Sequence, residues 1–180
     1  MIDLDRLAEP MAGPNCRGEP FSEAVREPLK VACAEDSEIW QIYANNFGPD
    51  GFDESVDRYV ANPNTRMFVL FDSDELAGMS SFLGIDEGRQ ALEIGGTYYR
   101  PKFRGTGFNR RAKNMMIARA FDAGIRRIEF RVDIRNARSQ AAMKKLGAVR
   151  EGVLRADRMT WTGHVRNTVL FAILRHEYEG

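Results

Sequence analysis

The residues best suited to chemistry are Arg104-Gly105-Thr106-Gly107-Phe108-Asn109. The apolar run before them, Ala91 to Tyr99, reads as a strand, and Arg110 to Ala123 reads as a helix. A strand that ends in a Gly-rich turn and opens a helix is a place to hold phosphate. Glycine lets the backbone come close to a ligand, and the first free N–H groups of the helix point at an anion. The helix dipole adds partial charge of the right sign. Alone, the motif says little more. The third glycine of a dinucleotide fingerprint is missing, and no Gly-Lys-Ser/Thr follows as it would in a P-loop.

The surrounding elements give the turn its context. Met67 to Phe71, Leu76 to Ile85 and Ala91 to Tyr99 are apolar runs joined by short polar turns, the pattern of an antiparallel meander. Gly95-Gly96 interrupts the third run and predicts a bulge or a ligand lying against the backbone. After the helix, Ile128, Phe130, Val132 and Ile134 alternate with charged residues, which predicts a strand. A helical crossover joins it to the Ala91 strand, so the two should be parallel neighbours. Asn136 to Leu146 reads as another helix, and Val149 to Met159 with Asn167 to Leu174 as a closing hairpin. Before the meander the reading is a loose lead-in to Glu19 with a short strand near Cys16 to Phe21. A helix near Pro28 follows, then one from Glu38 to Asn45 capped by Ser37, and a short one to Val60 capped by Asp53.

The chain has 180 residues, one domain's worth (1–180) with no internal repeat. Lys plus Arg and Asp plus Glu both number 26, so no basic field points to nucleic acid. No apolar run reaches the roughly 20 residues that span a bilayer. Met1-Ile2-Asp3-Leu4-Asp5 carries acids and no apolar core, unlike a signal peptide. Cys16 and Cys33 lack CxxC spacing and nearby histidines, and read as free thiols in a reducing, cytoplasmic compartment. No ligand set for a metal is visible.

The order of meander, Gly-rich turn, helix, strand and Asn136-led helix resembles the GNAT acyltransferases. Their acetyl-CoA motif is Arg/Gln-x-x-Gly-x-Gly/Ala, and Arg104, Gly107 and Asn109 fall on its fixed positions. Asn109 departs from the usual small residue. It fits the RimJ/RimL-type ribosomal-protein N-terminal acetyltransferases. Glu93-Ile94-Gly95, Asn136-x-x-Ser139, Leu146-Gly147, Glu151-Gly152-Val153-Leu154-Arg155 and Gly163…Arg166-Asn167 also match that subgroup. The resemblance is strong from about Met67 to Tyr178 and thin before it.

The resemblance implies an α+β GNAT fold. Its central sheet would be mixed but mostly antiparallel, with six to seven strands, splayed between the fourth and fifth and flanked by helices. It implies acetyl-CoA as cosubstrate and no metal. Arg104, Gly105, Thr106, Gly107, Phe108 and Asn109 would wrap the pyrophosphate, with backbone groups of Thr97, Tyr98 and Tyr99 pairing with pantetheine in the splay. Asn136 and Ser139 would touch the same arm. Arg111, Lys113, Arg138 and Lys144 are candidates for the 3′-phosphate. Glu93 would act as base through a water. Ser139 would give a proton to the thiolate, because Met143 stands where many relatives carry tyrosine.

The acceptor is a primary amine in this reading. A free α-amine, with a pKa near 8, costs only about 1.4 kcal/mol to neutralise at pH 7, against about 4.6 kcal/mol for lysine. A protein N-terminus therefore leads, with a small amine as second choice and a CoA-binding module without turnover as third. Trp40, Tyr98, Tyr99 and Trp161 are candidates to line the acceptor slot. Monomer and homodimer both stay open.

Overall fold

A computed structural model describes residues 1–178. Eight strands form one sheet in the order β1-β2-β3-β4-β5-β6-β8-β7. They are β1 (Met11–Gly13), β2 (Cys16–Pro20), β3 (Arg66–Asp72), β4 (Glu75–Asp86), β5 (Ala91–Tyr99), β6 (Arg127–Asp133), β7 (Val149–Met159) and β8 (Val165–Leu174). All neighbours are antiparallel except β5 and β6. The helices are α1 (Leu4–Ala8), α2 (Arg26–Ala34), α3 (Phe52–Ala61), α4 (Phe108–Asp122) and α5 (Ala137–Lys145).

The meander, the parallel β5–β6 pair and the closing hairpin match the sequence reading. The short strand expected near Cys16 is β2, and the one strand beyond the reading, β1, comes from the lead-in. Met11 and Cys16 are buried, and β1 and β2 fold as a hairpin that extends the sheet beyond β3. The segment from Glu38 is a short 3-10 helix ending at Ile42, and Ser37 makes no capping bond. α3 likewise starts from Gly51 without a side-chain cap. Asp53 is drawn instead into ion pairs with Lys30 and Arg26, which tie α3 to α2.

Two apolar clusters cover the two sheet faces. One gathers Leu92, Ile94, Phe108, Met116, Phe130 and Phe171 beneath α4. The other gathers Leu29, Trp40, Phe52, Val56, Met79 and Tyr98 beneath α2 and α3. Each fully buried side chain of this size contributes about 1.5–3 kcal/mol, so both faces are firmly held.

The middle of the sheet is interrupted in two places. Along β4–β5, Met79 pairs with Tyr98 while Ser81 pairs with Gly95, two steps on one strand against three on the other. The extra residue is a bulge at Gly95-Gly96, with Gly96 at φ +57. Glu93 shares a sheet face with Arg131, 3.8 Å away. Past the bulge the alternation restarts one residue out of step, so Thr97 turns toward α4, where it meets Lys113. The second interruption is the splay. β5 and β6 pair at Ala91, Leu92 and Glu93 and no further.

Candidate active site

A cavity of about 620 Å³ opens through the splay and reaches both sheet faces. On the α4 side it is lined by Gly105, Gly107, Asn109, Lys113, Asn136, Ser139 and Met143. On the α3 side it is lined by Tyr43, Tyr59, Glu93, Arg131, Arg158 and Arg166.

The Gly-rich turn is fixed by its neighbours. Phe108, fully buried, packs edge-on against Tyr99 at 5.4 Å between centroids and also against Phe103. It anchors the start of α4. Thr106 Oγ1 donates to the Phe103 carbonyl. Gly105 and Gly107 take φ +80 and +84, the left-handed region that glycine enters at little cost. The N–H groups of Gly105, Thr106, Gly107 and Asn109 have no protein partner among the described residues. A Cβ on Gly105 would meet nothing within 4 Å, and one on Gly107 only Arg111 Nη1 at 3.8 Å. The turn is thus an open cradle of unpaired donors at a helix start, which suits a diphosphate.

Of the twelve positions read from the sequence, Glu93, Thr97, Tyr99, Arg104, Gly105, Gly107, Asn109, Asn136 and Ser139 line the cavity. Tyr98, Thr106 and Phe108 do not. The Tyr98 side chain lies in the opposite cluster with its hydroxyl on the Ala32 carbonyl, 2.9 Å away. Arg104 is a tether: its Nε donates to the Tyr99 carbonyl at 2.8 Å and Nη1 meets Asp36. Two of the backbone groups expected to meet pantetheine already have partners. The Tyr99 carbonyl holds Arg104, and the Thr97 carbonyl accepts from Tyr43 at 2.6 Å.

The four 3′-phosphate candidates differ in their settings. Arg111 is paired with Asp72 at 2.9 Å. Lys113 is buried inside the cavity, and Lys144 lies outside it. Arg110, Arg138 and Lys145 are exposed and line the cavity. Trp40 and Trp161, read as candidates for an acceptor slot, do not line the cavity. Trp40 is buried with its indole on the Cys33 carbonyl, and the Trp161 indole donates to the Trp40 carbonyl. Tyr43 and Tyr59 line the α3 side of the cavity. Both hydroxyls are pushed up to about 12 by burial.

Glu93 and Lys113 are the titratable pair of the splay. Burial pushes the Glu93 carboxyl up, while Arg158, Arg131 and Arg166 oppose the rise. Its side chain keeps 15% exposure. Burial pulls the Lys113 ammonium down to about 7, opposed by Glu93. Across the splay, Asn136 caps α5 by accepting from the Ser139 N–H at 2.9 Å. Cys16 and Cys33 are free and buried. Among the described residues no helix is long and apolar enough to cross a membrane, and no cluster of three or more His, Cys, Asp or Glu is placed to hold a metal ion.

Residues 19–149 match the family described as "Acetyltransferase (GNAT) domain". No curated protein matches the chain significantly. A probable acetyltransferase of the GNAT family from Chromobacterium violaceum ATCC 12472 superposes with TM-score 0.88 at 27% identity, over 96% of this chain and 89% of that one. A GCN5-related N-acetyltransferase from Brucella melitensis gives TM-score 0.86 at 22% identity, over 95% and 80%. RimJ from Mycobacterium smegmatis, in complex with CoA-disulfide, gives 0.81 at 19% identity, over 95% and 88%. The family match spans most of the chain, and the superpositions show a shared fold. The chain belongs to the GNAT acetyltransferase family.

Proposed function

We propose that the chain moves an acetyl group from acetyl-CoA to a primary amine, in first place the α-amine of a protein N-terminus. One observation carries this reading: the diphosphate cradle at Gly105–Asn109 and the buried carboxyl of Glu93 open into one cavity through the splay. Acetyl-CoA supplies an activated acyl group on a good leaving thiol. The free N–H groups of the turn would hold its pyrophosphate, and Arg110, Arg138 and Lys145 its remaining phosphate charge.

Glu93 acts as the base. Burial raises its pKa, so its carboxylate is a stronger base than an ordinary glutamate and takes a proton, through a water, from the attacking amine as the new C–N bond forms. An α-amine suits so modest a base better than lysine does. Ser139, opposite on the first turn of α5, passes its hydroxyl proton to the departing thiolate and regains one from solvent water in the open cavity. The RimJ/RimL-like residues around the site support the N-terminal acceptor. The shared fold with RimJ supports the CoA half. The buried free thiols suit a reducing compartment, and we place the activity in the cytoplasm.

One rival reading has an observation behind it. Met143 lines the cavity where many relatives carry a tyrosine acid, so a CoA-binding module without turnover would share this geometry. Thiol release from acetyl-CoA, measured with N-terminal peptides and small amines, separates the two. Turnover supports the transferase. CoA binding without thiol release on any amine supports the module.

A further inference from the structure

The α3-side end of the cavity holds more positive charge than its own acids balance. Among the described residues two acids line the cavity, Glu93 and Asp133. Asp133 is committed to Arg135, at 2.7 Å. Three arginines surround Glu93. Arg131 is fully engaged, lying 3.8 Å from Glu93, 3.1 Å from Glu129 and 3.5 Å from Asp157.

The other two arginines have capacity left. Arg158 meets a carboxylate only through Nε, 3.2 Å from Asp157, and its Nη groups have no protein partner among the described residues. Arg166 is 5% exposed. Its Nε donates to Thr168 Oγ1 at 2.8 Å and its Nη2 to the Arg131 carbonyl at 3.0 Å. It makes no ion pair among the described residues. The bond to the Arg131 carbonyl holds the guanidinium at the splay, and Nη1 is left without a partner.

A buried guanidinium with no carboxylate in contact is unfavourable on its own. Burial pulls the Arg166 pKa down, and the nearby charge of Arg158 adds to the effect. The two residues face each other in register on β7 and β8, so their charges repel. An anion between them would relieve both costs, and a guanidinium is shaped to hold a carboxylate. CoA phosphates have their own cradle on the α4 side, so this site is left to the acceptor. A polycationic acceptor would meet like charge here.

We infer that the acceptor carries a carboxylate a few bonds from its reactive amine, held by Arg158 and Arg166 while Glu93 faces the amine. This rests on the amine-acetyltransferase reading above. Two sources share the chemistry: a peptide whose first residue is Asp or Glu, and a free amino acid with its α-carboxylate.

The test is thiol release by the full chain with acetyl-CoA. The acceptors are C-terminally amidated peptides starting with Asp, Glu, Ser or Ala, free aspartate, glutamate and serine, and spermidine. We expect kcat/KM at least about tenfold higher for one carboxylate-bearing group than for Ser and Ala peptide amides, and the arm that gains names the source. Arg158→Gln, at a partly exposed position, should raise KM for that acceptor about tenfold with little change in kcat and shrink the preference. Arg166→Lys should act in the same direction. Equal use of neutral peptides, preference for spermidine, or an unchanged KM in Arg158→Gln would overturn the inference while leaving the transferase reading intact. CoA binding with no thiol release on any amine would remove that reading, and this inference with it.

Discussion

Lys113 Nζ donates to Thr97 Oγ1 at 2.6 Å, from α4 to the strand edge that borders the splay. On the other sheet face the Tyr43 hydroxyl donates to the Thr97 carbonyl. The free edge of β5 is thus gripped from both sides at one residue. This explains how a strand that has left its β6 partner keeps its shape. It also explains a buried lysine, since Ser80 Oγ, 3.4 Å away, gives it a second polar neighbour.

Lys113 should leave a signature in stability against pH. Its folded pKa is about 7, against an ordinary value of 10.5. Between those values the unfolded state binds more protons, so stability rises with pH, by up to about 1.4 kcal/mol per unit from this group. Below the folded value both states are protonated and its contribution is flat. Lys113→Met should abolish this rise. Urea unfolding at several values from neutral to mildly alkaline pH would show it, and parallel curves for both proteins would count against the assignment.

Gly107 tests the diphosphate cradle. At φ +84 an asparagine fits at modest cost, while a β-branched residue costs about 1–2 kcal/mol. Space at its Cβ position is nearly open, so bulk there would project into the proposed phosphate site rather than into the core. Gly107→Trp should fold and bind CoA at least about tenfold more weakly by calorimetry. Unchanged CoA affinity would mean the phosphates lie elsewhere.

Ser139 and Asn136 should separate cleanly. Asn136→Ala removes the α5 cap and should cost about 1 kcal/mol of stability in denaturant unfolding. Ser139→Ala leaves the cap bond, which uses the Ser139 backbone, and should lower kcat by about 10²-fold or more with CoA affinity kept. If Ser139→Ala turns over like the parent, the thiolate takes its proton from another group.

Much of this was legible in the sequence because it rests on local rules. The alternation around Phe130, the Gly95-Gly96 break and the Asn136 cap each need only near neighbours. The missed features depend on distant partners. Lys113 looks like a surface charge on α4, and only the bulge, which turns Thr97 toward it, makes it an interior group. Arg104 reads as a phosphate contact, and its ion pair with Asp36, far away in sequence, is a feature no local pattern marks. Tyr43 and Tyr59 lie before the motifs that carry the resemblance, so nothing local marked them as cavity walls. β1 is three residues long, and its pairing with β2 decides its state more than its own residues do.

Glu93 carries the central claim. Activity should rise with pH through its raised carboxyl pKa, because the ionised form is the base. The most direct measurement is thiol release from acetyl-CoA with an α-amine peptide, comparing the parent chain with Glu93→Gln across pH. The account predicts turnover by the parent. For Glu93→Gln it predicts a loss of about 10²–10⁴ in kcat, with CoA affinity retained and the ascending limb of the profile gone. A Glu93→Gln protein with the parent's kcat and pH profile would contradict it.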